Sequence, residues 1–345
     1  MSQDNSSTII NPTISKGFNN PFRDHNGRMY YNTCFFNSTL QSLFKCTDFI
    51  FQLRNYSGES RLLKFLKITI EDYYLKPSVE VIGPLLLIRS YGEINPNFEV
   101  GVQDDAHECL GHFLDHFYEV TKKEGINISD LFDCHLVSNL KCTKCDYENE
   151  KTETQKLITL PIVSADRSKI FTNFQDALND FLTEEILTDD DRITCEKCNS
   201  ISTPKPEPTV VPSSGPAPVA YPEQNVINQP IIKVDGIKRL MIKGTPKYLY
   251  FGLKRFLNEY DRVLKRASSS KLNHEVLMPD NIVINGTNYK MTGSIHHMGG
   301  IGGGHYVYYH KIDDSWTLFN DSSISKDDSH DTIVKRGYVY LYERY

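Results

Sequence analysis

The stretch YYNTCFFNSTLQSLF, Tyr30 to Phe44, decides how the rest of the chain is read. Phe36, Leu40, Leu43 and Phe44 recur at helical spacing, which predicts a helix with one buried face. Asn32 or Thr33 can cap its first turn through a side-chain oxygen. Cys34 then stands at the helix N-terminus, where unpaired backbone N–H groups and the positive end of the dipole favour a thiolate over a thiol. That is the form a cysteine nucleophile uses near neutral pH. Taken alone, a cysteine between aromatic rings is most often a small buried hydrophobe, so chemistry at Cys34 requires partners elsewhere in the chain.

Composition bounds where to look. The chain has 345 residues, too many for one simple core, and carries a net charge of -6. A mildly acidic protein does not bind nucleic acid through a basic surface, and it suits a basic partner. The first residues, MSQDNSSTII, hold neither a basic nor an apolar signal region, and no apolar run reaches membrane-span length. Eight cysteines in such a chain read as metal ligands and free thiols of a reducing compartment, the cytosol with the nucleus as alternative. We expect a monomer.

Residues 1–20, rich in Asn, Ser and Thr, read as a flexible tail. The pattern is then helical to about Val120. Leu62, Phe65, Leu66 and Ile70 share one face, as do Ala106, Cys109, Leu110, Phe113, Leu114 and Phe117, the latter set preceded by Asp104 and Asp105 as an acidic cap. From about Leu131 the period changes to strands, interrupted by one helix near Phe174 to Leu187. Between Ile201 and Pro230 lie eight of the sixteen prolines, so this segment reads as an extended, mobile insert.

Three constellations carry chemistry. Cys142-x-x-Cys145 and Cys195-x-x-Cys198 form two knuckles able to place four thiolates on one Zn2+ ion. With all four positions taken by protein, such a zinc is structural. GGIGGGHYVYYHK, Gly299 to Lys311, puts His305 after a glycine run and at the start of an aromatic strand, where it can act as a general base. SWTLFNDSSIS follows, and Asn320 or Asp321 can hold the imidazole in the required tautomer. Each has a plainer reading: unrelated thiols, a strand-edge histidine, an Asn-Asp turn.

The order of these elements resembles the ubiquitin-specific protease family of deubiquitinases. NTCFFNSTLQSL is similar to its Cys box, QDDAHECL (Gln103–Leu110) to its Gln-Asp-Ala-x-Glu helix, PKYLYFGLKRF (Pro246–Phe256) to the strand before its palm, and GYVYLYER to its closing strand. The resemblance spans Asn26 to Tyr345. It implies an α+β, papain-like fold of thumb, palm and fingers with a zinc ribbon in the fingers. The catalytic domain would cover 21–345: thumb about 21–128, fingers about 129–245 with the proline-rich insert at about 200–230, and palm about 155–165 and 246–345. By the same resemblance Cys34 is the nucleophile, His305 the base and Asn320 its orienting residue, with Asp321 assisting. Ubiquitin or ubiquitin-conjugated protein is the implied partner. Its C-terminal tail would meet Gln103, Asp105, Glu108, His297, Gly304 and Tyr306, with Asp105 and Glu108 pairing with the tail arginine. The implied reaction is hydrolysis after ubiquitin's terminal glycine through a thioester.

One departure stands out. The family carries an asparagine five residues before the nucleophile as an oxyanion donor and a glycine three before it; here those positions hold Met29 and Tyr31. Asn26 or Asn32 are the candidate substitutes. A ubiquitin-binding module without catalysis, a protease for another ubiquitin-like modifier, and a zinc-ribbon scaffold are the competing readings.

Overall fold

A computed structural model describes residues 14–23, 26–201, 232–261 and 265–345. Most of the expected tail (1–13) and of the proline-rich insert lies outside the described residues. The chain separates into two compact units. The first contains the residues up to His135, Thr154–Phe181 and Ile242–Tyr345, and the second Leu136–Glu153 and Leu182–Met241.

After three two-residue strands, the first unit carries five helices, α1 (Cys34–Phe44), α2 (Thr47–Arg54), α3 (Arg61–Leu75), α4 (Leu85–Ile94) and α5 (Ala106–Glu124), with the short strand Val81–Ile82 between α3 and α4. All eleven residues of α1 are buried, not one face of it as the spacing predicts. The reason is that α1 packs on both sides. Phe36 meets Phe113 of α5 with ring centroids 5.7 Å apart, while Ser42 Oγ hydrogen-bonds Tyr250 OH at 2.8 Å on the sheet side. Its buried polar residues are spent on such bonds: Thr39 Oγ1 donates to the Phe35 carbonyl at 2.9 Å, and Gln41 Nε2 to the Lys16 carbonyl at 2.6 Å. Polar groups so satisfied can be buried without the penalty of an unpaired group.

Behind α1 lies an eight-stranded sheet in the order Ser323–Lys326, Ser315–Asn320, Gly303–Ile312, Thr287–Gly300, Val339–Arg344, Tyr248–Leu253 and Leu157–Leu160, with Asn281–Ile284 pairing Thr287–Gly300. Every pairing is antiparallel except that of Leu157–Leu160 with Tyr248–Leu253. Tyr248 to Leu253 is buried on both faces, as its unbroken apolar run requires.

Residues 14–20 are not a flexible tail. Gly17–Phe18 pairs in parallel with Val81–Ile82, and Phe18 is fully buried against Phe44 and Tyr73. Lys16 Nζ donates to the carbonyls of Asp72 (2.8 Å) and Lys76 (2.6 Å) at the end of α3. Gly17 is required here, because a Cβ would lie 2.5 Å from the Ser322 backbone. A two-residue strand has no period to read, so its order is invisible without its partners.

The expected helix over 174–187 is shorter. α6 (Phe174–Phe181) buries Phe174, Ala177 and Leu178, and that spacing is not continued. Glu185–Leu187 forms a strand instead, pairing with Gly236–Lys238, and Ile186 points to solvent. The second unit is built on a four-stranded sheet, Glu148–Gln155, Cys134–Cys142, Gly236–Lys243 and Glu185–Leu187. No helix among the described residues is long and apolar enough to cross a membrane.

Candidate active site

Cys34 is the first residue of α1 and is 3 % exposed. Thr33 occupies the cap position, but neither it nor Asn32 caps the helix as expected. Thr33 makes no side-chain cap bond; its hydroxyl turns to the Asn19 carbonyl at 3.4 Å. Asn32 adopts a left-handed backbone (φ 62°) and donates to the Gly101 carbonyl at 3.0 Å, away from the nucleophile. The first-turn N–H groups are thereby left without a side-chain acceptor, a ready site for negative charge.

His305 begins the inner half of strand Gly303–Ile312, and Asn320 ends its neighbour Ser315–Asn320. Their side chains meet: His305 Nε2 bonds Asn320 Oδ1 at 2.6 Å. An amide oxygen only accepts, so Nε2 carries a proton and Nδ1 is the nitrogen that faces proton transfer. The imidazole is held above its ordinary value, at about 9, first by its hydrogen bond to Cys34, with burial opposing and Asn320, the Cys34 charge and Asp321 adding to the rise. The protonated imidazole is therefore the favoured form beside Cys34.

Asp321 follows with a left-handed backbone (φ 51°), which aspartate tolerates. Its Oδ2 lies 3.8 Å from His305 Nε2. Both its oxygens are engaged: Asn20 Nδ2 donates to Oδ2 at 2.9 Å, and Asn37 Nδ2 to Oδ1 at 2.8 Å. Asn20 Oδ1 in turn accepts the Thr33 N–H at 3.4 Å. These bonds fix the Asn20 amide orientation and place it beside the Asn32–Thr33 peptide, one before the peptide that carries the Cys34 N–H. Neither Asn20 nor Asn37 was singled out from the sequence. Asn20 lies in the stretch read as a tail, and Asn37 reads as one polar residue of an amphipathic helix.

The residues expected to meet a tail divide into two groups. Gln103, Asp105, His297, Gly304 and Tyr306 line one cleft of about 390 Å3, together with Phe256 and the glycines 302 and 303. Gln103 Nε2 donates to the Gly304 carbonyl across it at 2.7 Å. Gly304 cannot bear a side chain, since a Cβ would collide with His297 Nε2 and the Met298 carbonyl. His297 packs between Phe256 and Tyr306, and burial, then Lys271, pushes its imidazole down to about 4. It is a neutral wall. Asp105 caps α5, accepting from His107 N (2.7 Å) and Glu108 N (3.2 Å), and also binds the hydroxyls of Tyr306 (3.1 Å) and Tyr338 (3.0 Å). Its oxygens are spent on architecture. Glu108 stands at the surface with its carboxyl only partly covered, and that partial burial, followed by the neighbouring Asp105 and Asp104, raises it above the usual range. It is the acid of the pair that keeps free acceptors.

In the second unit, Cys142, Cys145, Cys195 and Cys198 gather with their sulfurs within 4.8 Å of one another. Cys142 and Cys198 are 3.8 Å apart, Cys145 and Cys195 3.5 Å. A tetrahedral ion with ~2.3 Å bonds to sulfur needs sulfurs ~3.8 Å apart, so the four thiols fit a metal and no disulfide joins them. Cys198 N–H points to Cys195 Sγ at 3.5 Å, as a metal knuckle requires.

Comparison with known proteins agrees with this geometry. The chain is similar to Drosophila melanogaster ubiquitin carboxyl-terminal hydrolase Usp2, 25 % identical with 91 % of this chain and 34 % of the relative covered. It is similar to Arabidopsis thaliana ubiquitin carboxyl-terminal hydrolase 20, 25 % identical over 91 % of this chain and 42 % of the relative. It thus spans about a third to two-fifths of the length of those two relatives, though 91 % of Arabidopsis ubiquitin carboxyl-terminal hydrolase 4, to which it is 23 % identical. Among solved structures, the SAGA Ubp8/Sgf11/Sus1/Sgf73 DUB module bound to ubiquitin aldehyde shares the fold, with a TM-score of 0.68 at 20 % identity, covering 96 % of this chain and 70 % of that one. Residues 28–342 match the family profile described as ubiquitin carboxyl-terminal hydrolase, and the chain belongs to that family.

Proposed function

We propose that the chain is a cysteine-dependent deubiquitinase that hydrolyses the bond after ubiquitin's C-terminal glycine. One observation carries the reading: the Cys34 thiol stands at an uncapped helix start, close enough to His305 to be the first cause of its raised imidazole, and Asn320 holds that imidazole from behind at 2.6 Å. Cys34 thiolate attacks the glycine carbonyl carbon. The tetrahedral oxyanion is met by the Cys34 backbone N–H and, in place of Asn26 or Asn32, by the second N–H of Asn20. Collapse breaks the C–N bond, and the proton from His305 leaves with the lysine amine. Water then attacks the thioester, giving one proton to His305; the tetrahedral adduct collapses to the Cys34 thiolate and ubiquitin's carboxylic acid, which loses its proton to solvent as it leaves. Glycines 303 and 304 and the His297 wall admit only a slender tail, and Glu108 is the acceptor for the tail arginine.

The four thiolates would hold Zn2+ as a closed structural site, cross-linking two knuckles with no open position for substrate. A chain with both a free nucleophilic cysteine and such a thiolate site suits a reducing compartment, cytosol or nucleus.

Steady-state hydrolysis of ubiquitin with a C-terminal amide-linked reporter tests this. Turnover is expected in the native chain and absent in Cys34→Ala. Asn20→Ala is expected to lower kcat on the order of 100-fold, with KM nearly unchanged, as loss of one oxyanion donor does in other proteases. Cleavage of another ubiquitin-like modifier but not ubiquitin would move the substrate assignment. Binding without turnover would favour the inactive module, which the aligned histidine argues against.

A further inference from the structure

Asn37 stands one turn after Cys34 and is 2 % exposed. Its Nδ2 donates to Asp321 Oδ1 at 2.8 Å and lies 3.4 Å from Thr33 Oγ1 and the Asn19 carbonyl. Its Oδ1 is buried with no hydrogen-bond partner. The other buried polar side chains of α1, Ser38, Thr39, Gln41 and Ser42, all reach a partner. An apolar residue would orphan no oxygen of its own but would leave Asp321 Oδ1 without this donor, so what the position serves is the carboxylate. Such violations collect at functional sites.

What the amide gains is a hold on Asp321. A carboxylate is a stronger acceptor for an imidazolium N–H than the neutral Asn320 oxygen, and Asp321 Oδ2 is already only 3.8 Å from His305 Nε2. Asn20 holds one of its oxygens and Asn37 the other. We propose that Asn37 is a positioning residue: from the nucleophile's own helix it restrains Asp321 so that Asn320, not the carboxylate, keeps His305 Nε2, and it fixes the base strand in register with Cys34. Released, Asp321 would turn onto Nε2, hold the imidazolium too tightly and slow return of its proton to the leaving amine. This inference rests on the deubiquitinase reading.

The test is Asn37→Leu, which keeps the branching at Cγ and removes the donor, assayed with the same ubiquitin reporter. We expect kcat to fall about 10- to 100-fold, KM to change less than about threefold, and the alkaline limb of kcat/KM to move to higher pH. A kcat within about twofold of the native value, or a limb that moves down as a merely loosened His305 would give, overturns the inference. Asn37→Asp decides if the leucine variant does not fold. Protonated, the introduced carboxyl donates to Asp321 as the amide does; ionised, it repels it. The ratio of its kcat to the native value must therefore rise as pH falls, and a flat ratio overturns the inference. Labelling of the native chain by a ubiquitin electrophile separates the two levels. If it labels and the variants behave as native, only this inference fails; if it does not label, the functional reading fails first.

Discussion

At the scale of single residues, the site is a set of charges whose balance is set by distance. His305 is protonated well beyond its ordinary range, to about 9, and the first cause is Cys34. The sign follows: a folded-state value above 6.5 adds stability that is complete below about pH 6.5 and lost as pH rises through about 9. Removing the partner reverses it, so the His305 ring in Cys34→Ala is expected to titrate at lower pH than in the native chain, read by NMR of the imidazole protons. Asn320→Ala should shift it the same way and lower kcat about 10- to 100-fold. An unchanged titration in both variants would mean that neither side chain is coupled to the ring. Cys34, His305 and Asn320 were legible in the sequence because each opens or closes a recognisable element. Asn20 was not. Eleven residues, 21–31, stand between it and Asn32, and fixed spacing from the nucleophile leads to Met29. Only the fold brings Asn20 beside Thr33 N and Asp321.

At the scale of elements, α1 shows why pattern reading is partial. Its period predicts one apolar face, yet polar Thr39, Gln41 and Ser42 are equally buried because carbonyls and a tyrosine hydroxyl wait for them. Partners distant in sequence decide this, and periodicity does not contain them. Asp105 is a similar case: the acidic cap of α5 is readable, but the two tyrosine hydroxyls that occupy it come from a strand and from the bend before another, 201 and 233 residues on. The CxxC knuckles are the opposite case, since spacing alone states the chemistry. Elemental analysis is expected to give one zinc per chain. A strong chelator should release it, expose four further thiols to a thiol reagent and melt the second unit's sheet, because metal affinity at such sites is largely folding free energy. A chain with no bound metal and an intact sheet would contradict the assignment.

At the scale of the molecule, the first unit holds every candidate catalytic side chain. Nucleophile and base come from different layers: Cys34 from a helix packed between α5 and the large sheet, His305 and Asn320 from neighbouring strands of that sheet. The strap of residues 14–20 joins them, pinned to α3 by Lys16 and to the Asp321 turn by the Phe18 N–H at 2.9 Å. Class and order of elements were legible because helical and strand periods occupy separate thirds of the chain; the strap, with too few residues for any period, was not. The most direct measurement is intact mass after incubation with ubiquitin bearing a C-terminal electrophile, on the native chain and Cys34→Ala. One ubiquitin added to the native chain and none to the variant is the expected result. Equal labelling of both, or no labelling of a folded, zinc-loaded native chain, would contradict a tail-directed nucleophile at Cys34.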